Sequence, residues 1–325
     1  MPTVAPVDVD GFVVRAGFLK SSAYFASGEG DILLSGKGET RIRVHRSGLL
    51  AAEPLVDGSG LITSGDDGCI YRCADDGSSE LVAERPRKWI DLIAAGPSGA
   101  VAFASGRVAW VHLEDGREKE FQHDRAVGGL AFAPKGTRLA VSRYDGASLW
   151  WAGTDGAPVE FTWKGAHLGI SFSPDGKYLV TAMQENALHG WRLADRQDMR
   201  MSGYPAKVKS FSWSFKGRYL ATSGANAAIL WPYHGKTGPM GQSPLQLGTR
   251  SDVLASSVAC HPKEDVVAVG YQDGTILMCR FEDNAEVLLR RPGKGPVSTM
   301  DWDREGVRLA FGTEAGEAGI VSLQD

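Results

Sequence analysis

Residues 123–151 read HDRAVGGLAFAPKGTRLAVSRYDGASLWW. Within them, VGGLAFAP (127–134) alternates small and apolar residues and stops at Pro134, which cannot donate to a sheet ladder. A short turn leads to TRLAVSRY (137–144), which has the pattern of a second strand. Asp145-Gly146 then turns the chain tightly into ASLWW (147–151). Asp-Gly is a strong hairpin signal, because glycine reaches positive φ without steric cost. The looser turn GTDG (153–156) leads to PVEFTW (158–163). Four short antiparallel strands joined by Gly, Pro and Asp turns predict one blade of a β-propeller.

The same hairpin recurs along the whole chain. In order it reads AYFASGEGDILLS, LITSGDDGCIYRC, AVAFASGRVAWVHL, LAVSRYDGASLWW, LVTAMQENALHGW, LATSGANAAILW, VAVGYQDGTILMC and LAFGTEAGEAGIV. Its turn falls at Gly30, Gly68, Gly106, Gly146, Asn186, Asn226, Gly274 and Gly316, at intervals of 38, 38, 40, 40, 40, 48 and 42 residues. A period this even means stacked copies of one supersecondary unit, each too small to bury its apolar face alone. The expected fold is all-β: a single propeller domain over 1–325 with eight four-stranded antiparallel blades, seven being the alternative. The last repeat ends after its third strand, AGIVSLQD (318–325), and lacks a fourth. The N-terminal stretch TVAPVDVD (3–10) is expected to pair there, closing the ring and covering an open sheet edge. The extra length after Asn226 lies largely in the Pro/Gly-rich loop PYHGKTGPMGQSP (232–244).

Composition narrows the function classes. A hydrophobic fraction of 43% and a charged fraction of 23% describe a folded chain. A net charge of −4 argues against nucleic-acid binding, which needs a basic face. The start MPTVAPVDVDGF has neither a basic flank nor an apolar stretch of signal-peptide length, and no run approaches the roughly 20 apolar residues of a membrane span. A monomeric cytoplasmic protein is expected, without membrane contact. Cys69 and Cys73 lie four apart on one predicted strand, about 13 Å at 3.3 Å per residue. That distance is too long for a disulfide and fits a reducing compartment.

Three stretches carry a family resemblance: HDRAVGGLAFAPKGTRLAVSRYDGASLWW, ISFSPDGKYLVTAMQENALHGW and VKSFSWSFKGRYLATSGANAAILW. They resemble the WD-repeat β-propellers, as a divergent bacterial-type member, and the likeness covers essentially the whole chain. The family's histidine falls on His123, four residues before Val127, its turn aspartate on Asp145 and its third-strand tryptophan on Trp151, with equivalents at Trp191 and Trp231. No Trp-Asp dipeptide ends a repeat, and the aspartate position becomes Glu185 and Ala225 in the next two. The resemblance implies that His123, Asp145 and Trp151 form a structural network within a blade. A catalytic triad built on His123, Asp145 and Ser142 is disfavoured, because the serine would sit inside a blade strand instead of beside an oxyanion hole.

Other catalytic readings find little support. The glycine–lysine segments 36–40 and 235–238 lack the upstream glycine and the following helix of a phosphate loop. Cys260, His261 and Cys279 are the best metal candidates, since zinc prefers Cys and His. Cys260 also occupies the column of core aromatics Phe132, Phe172, Trp213 and Trp302, and Cys279 the tryptophan column, so buried packing explains them more simply. The acidic residues Glu29, Asp66, Asp67, Asp145, Glu185, Asp273 and Glu314 fall in second-to-third-strand turns and are expected to be solvated. A lactonase-type site would need titratable groups on inner strands, which offer Glu53, Asp91, Lys209, Asp301 and little else. No enzyme activity and no cofactor are expected.

The loops entering each inner strand carry a different chemistry. Arg87 and Trp89 precede the third repeat's inner strand, Arg125 the fourth, His167 the fifth, and Tyr204 with Lys207 the sixth; Tyr144 and Tyr271 join from the turns. Aromatics and arginines on loops of a rigid scaffold are what protein-binding surfaces use. These eight residues are the candidate rim face for a protein or peptide partner. The leading function is a non-catalytic scaffold; a metal- or small-ligand-binding propeller is the alternative.

Overall fold

The computed structural model describes residues 2–36, 38–235 and 237–323. Lys37 and Lys236, within the two glycine–lysine segments, lie outside the described residues, as do the last two residues of the terminal repeat. Among the described residues all regular structure is β apart from two single 3-10 turns, Pro97–Gly99 and Phe215–Gly217.

The chain divides into two compact units. The first comprises Met1–Ile42 with Tyr204–Asp325, the second Arg43–Gly203. Each is a series of antiparallel sheets whose strands follow one another in chain order, except in the last sheet, where the N-terminal strand joins the C-terminal ones. In the second unit, Leu49–Pro54, Gly60–Gly65, Cys69–Ala74 and Ser79–Glu84 form one sheet. In the first, Ala255–Cys260, Val266–Tyr271, Ile276–Arg280 and Glu286–Arg290 form another. Second strands such as Gly60–Gly65 and Tyr178–Met183 are buried on both faces, and the fourth strands are mostly exposed. This gradient explains why the middle hairpin of each repeat is its most apolar part. Neighbouring repeats pack through shared clusters: Phe161, Leu179 and Trp191 join repeats four and five, and Ile276, Val297 and Phe311 join repeats seven and eight. These are repeated four-stranded blades of a β-propeller.

The terminal pairing is as the open edge requires. Thr3–Asp8 lies antiparallel to Glu317–Ser322, with Val7 opposite Ala318, and becomes the fourth strand of the last sheet.

The expectation of eight blades is corrected in favour of the alternative, seven: among the described residues hydrogen bonding yields seven sheets, six of four strands and one of six. Repeats four and five share the six-stranded sheet, because Val159–Phe172 runs unbroken from the end of one into the start of the other. Its first half pairs with Gly146–Leu149 and its second with Leu179–Met183. A pairing of Tyr144 with Ala166 carries the ladder past Gly165, whose φ of 128° lets the strand bend there.

Candidate functional site

One backbone contact recurs where the loops enter the inner strands. Asp66 N donates to Gly48 O, Gln184 N to Ala166 O, Gln272 N to Leu254 O and Glu314 N to Pro296 O, each across 18 residues. Every second-to-third-strand turn in this set is thus clamped to the loop that begins its own repeat. The clamp satisfies backbone groups of both turn and loop and fixes the loops that carry the candidate residues.

In the second unit the loop 85–90 is the most strongly determined. Arg85 N donates to Gly68 O at 2.8 Å, and Ile90 N to Gly65 O at 3.2 Å. Only glycine fits at position 68: its φ is 78°, and a Cβ there would lie 2.2 Å from the Arg85 carbonyl oxygen. The Arg85 guanidinium lies over Phe103 at 5.1 Å and Trp110 at 5.0 Å and pairs with Glu118. Between these anchors Arg87 turns through φ 63°, and Trp89 is left 70% exposed. Arg87 and Lys88 are exposed beside it. One repeat further on, Arg125 lies 6.0 Å from the ring centre of Tyr144, which is 43% exposed. Trp89, Arg87, Arg125 and Tyr144 are therefore accessible, as a binding role demands.

Three of the eight candidates are not, and their assignment to a contact surface is corrected. His167 is buried, with Nδ1 2.7 Å from Thr181 Oγ1 and Nε2 3.0 Å from Trp163 O. Tyr204 is buried, its hydroxyl 2.7 Å from Thr222 Oγ1 while accepting from Trp231 Nε1 at 2.6 Å. Tyr271 is buried and donates to Gly248 O. Each spends its polar end inside the fold. Burial also pushes the hydroxyl of Tyr204 up to about 12. In the first unit Lys207 remains exposed, as does Lys209.

The proposed network of His123, Asp145 and Trp151 does not form. No hydrogen bond joins His123 to Asp145 among the described residues, and His123 Nε2 has no partner. Trp151 is 44% exposed. Its neighbour Trp150 instead meets His123 edge-on at 6.0 Å and Phe121 at 4.6 Å. The cause is register. Asp145 and Gly146, both at positive φ, make a two-residue turn, whereas three residues separate Met183 from Ala187 in the next repeat. A one-residue difference in a strand exchanges the faces its side chains occupy.

A complete network lies in the second repeat, built on the turn residue Asp67 with His45 and Thr63. His45 Nδ1 is 3.1 Å from Asp67 Oδ1, His45 Nε2 is 3.0 Å from Thr63 Oγ1, and Tyr71 packs edge-on at 5.3 Å. Asp67 is thus not a solvated turn carboxylate: burial would raise its pKa, but the Cys69 N–H and His45 more than offset that and hold it low. His45 precedes Asp67 by 22 residues, the same interval as His123 to Asp145, and that spacing was the available signal. Replacing His45 with Ala leaves the buried Thr63 hydroxyl and Asp67 without it. A loss of about 2 kcal/mol is expected in urea denaturation. The His45→Ala/Asp67→Ala pair is expected to lose less than the sum of the singles, because both remove one interaction.

The metal candidates are engaged separately. Cys260 Sγ lies 3.4 Å from Ser212 O, and burial pushes its thiol up to about 12. Cys279 sits two strands away, about 10 Å at ordinary strand spacing, and its thiol is likewise raised to about 12 by burial. His261 Nε2 is 2.9 Å from Gly306 O, and its Nδ1 accepts from Lys263 N and Glu264 N at 3.2 and 3.0 Å. Both ring nitrogens are therefore occupied. Among the described residues no group of three or more His, Cys, Asp or Glu side chains is placed to hold a metal ion.

No protein-family profile matches the chain, and no curated protein matches it. Among solved structures, a computationally designed protein, Ika8, aligns over 97% of this chain and 98% of its own, with a TM-score of 0.77 and 17% identity. At that identity the likeness is one of fold alone.

Proposed function

We propose that this chain is a non-catalytic, WD-repeat-like scaffold that binds another protein or peptide through the loops entering its inner strands, acting as a cytoplasmic monomer. The observation that supports this most directly is Trp89, an indole 70% exposed on a loop anchored at both ends. Ordering a large aromatic in water gains nothing for the fold, while a pre-ordered tryptophan beside cations is the commonest kind of interface anchor. Arg87 and Lys88 flank it, and the Arg125–Tyr144 pair adds a second aromatic with a cation over its ring.

The test is quantitative capture of partners from the source cells with the tagged protein. Trp89→Ala probes the second unit and Lys207→Glu the first; the double variant combines them. Loss of a buried tryptophan anchor is expected to weaken capture by about 2 kcal/mol or more, some thirtyfold. Because both residues are exposed, stability is expected to change by no more than about 0.5 kcal/mol. Unchanged recovery with the double variant would refute the surface, and unfolding of either single would refute its peripheral placement.

A further inference from the structure

We infer that the first unit carries a pocket for a carboxylate of an acidic peptide segment, formed by Lys207 and Lys209 with Gln272 and Glu314. This rests on the scaffold reading above and gives it a partner chemistry. The cavity has a volume of about 290 Å³. Three consecutive repeats build it, through the loop 206–209, the start of the strand Ala255–Cys260, Pro296, and the turns at Ser223, Gln272 and Glu314.

Backbone hydrogen bonds tie its frame together. Ala206 N donates to Gly224 O, Gly224 N to Ala255 O, Gln272 N to Leu254 O and Glu314 N to Pro296 O, at 2.9–3.1 Å. The two wall hydroxyls are committed: Ser223 Oγ accepts from Lys209 N and Ser210 N, and Ser256 Oγ donates to Val297 O at 2.8 Å. What the frame leaves over is charge. Lys119, Lys177 and Lys263 have carboxylate partners. Lys207 and Lys209 have none among the described residues. The charged residues of the lining are two lysines and one carboxylate, Glu314, so the lining is net cationic within a chain of net charge −4.

The size and polarity define the ligand. A volume near 290 Å³ is at the small end of ligand sites and admits one side chain or a chain terminus, not a large cofactor. An Asp, Glu or terminal carboxylate would take charge-assisted hydrogen bonds from the lysines. Gln272 and Glu314, in the same lining, offer acceptors to the peptide N–H groups that accompany it. A bare inorganic anion would leave those acceptors unmatched.

The probe is dye-labelled hexaglutamate, read by fluorescence anisotropy, with hexaglutamine as the neutral control. Saturable binding of hexaglutamate that weakens as salt rises is expected, with none for hexaglutamine. Lys207→Glu/Lys209→Glu is expected to weaken it roughly tenfold to hundredfold, the range for losing charge-assisted hydrogen bonds. Lys207→Arg/Lys209→Arg retains charge and is expected to restore most of the affinity. Lys135→Glu/Lys216→Glu makes the same change of net charge at exposed lysines outside the pocket and is expected to leave binding within twofold, roughly, since exposed distant charges are screened. Equal losses in the two Lys→Glu pairs would overturn the pocket, as would absence of hexaglutamate binding by the wild type. Displacement of hexaglutamate by free glutarate at lower concentration than by unlabelled hexaglutamate would overturn the peptide assignment in favour of a small acid. Trp89→Ala separates the two readings. Normal hexaglutamate binding with lost partner capture supports the pocket whatever the larger partner, and intact capture without hexaglutamate binding refutes the pocket alone.

Discussion

Lowering the pH from 8 to 5 is expected to remove roughly 4 kcal/mol of folding stability, through histidines buried in neutral form. His189 is fully buried, with neither ring nitrogen hydrogen-bonded among the described residues. Burial, then the neighbouring His167 and the Arg200 charge, push its pKa down to about 3. His123 is pushed to about 4, by burial and then by Arg143. An unfolded histidine titrates near 6.5, so at acid pH the unfolded chain binds protons that the native fold refuses. Stability is therefore complete above about pH 6.5 and falls as the pH drops toward the folded values. Integrating that difference to pH 5 gives about 2 kcal/mol for each of the two imidazoles. His45 and His167, also lowered chiefly by burial, act in the same direction. The surface carboxylates do not confuse the window. Asp195 and Asp283 are held near 2 by hydrogen bonds from Arg192 and Arg280, and their effect is lost only below about pH 4. Urea denaturation at pH 8, 6.5 and 5 measures the slope, and His189→Leu is expected to remove about half of it. Coincident midpoints at pH 5 and pH 8 would show that these rings are not held neutral.

These histidines also show where the sequence can and cannot be read. The repeat period was legible because seven of the eight turn positions take positive φ, which favours Gly and Asn whatever the side chains around them do; at Asn226 it is Gly224, two residues earlier, that does so. The N-terminal strand was legible because a three-stranded last repeat leaves an edge that something must cover. The shared sheet of repeats four and five was not, since the backbone pairing of Tyr144 with Ala166 is written in no side chain. Nor could composition tell a loop residue that faces water from one that reaches back. His167 and Tyr204 share the loop chemistry of Trp89, but each finds a threonine hydroxyl on its own second strand, as His45 does. The signal was present in Thr63, Thr181 and Thr222, polar residues at one position of otherwise apolar strands. A buried hydroxyl needs a partner, and in these repeats the entry loop supplies it. The surface candidates that survive are the ones with no such partner among the described residues.

The largest single-residue effect is expected at Trp191, and it separates two tryptophans that the repeat alignment treats as equivalent. Trp191 is 2% exposed. It pairs in register with Leu179 and packs against Phe161 at 5.8 Å, His167 at 5.6 Å and His189 at 4.8 Å. Those contacts bind repeat five to repeat four within their common sheet, and the sheet gives the surrounding strands little freedom to collapse into a void. Trp191→Ala is therefore expected to cost about 3–5 kcal/mol, the range for deleting a buried indole and leaving its cavity. Trp151, its counterpart by sequence position, lies 44% exposed and is expected to lose no more than about 1 kcal/mol on the same truncation. Trp150, half-buried against His123 and Phe121, falls between the two. Urea denaturation of the three alanine variants tests the order. A cost at Trp151 equal to that at Trp191 would mean that the two-residue turn at Asp145-Gly146 does not shift the register, and that the aligned column, not the face of the strand, decides which ring is in the core.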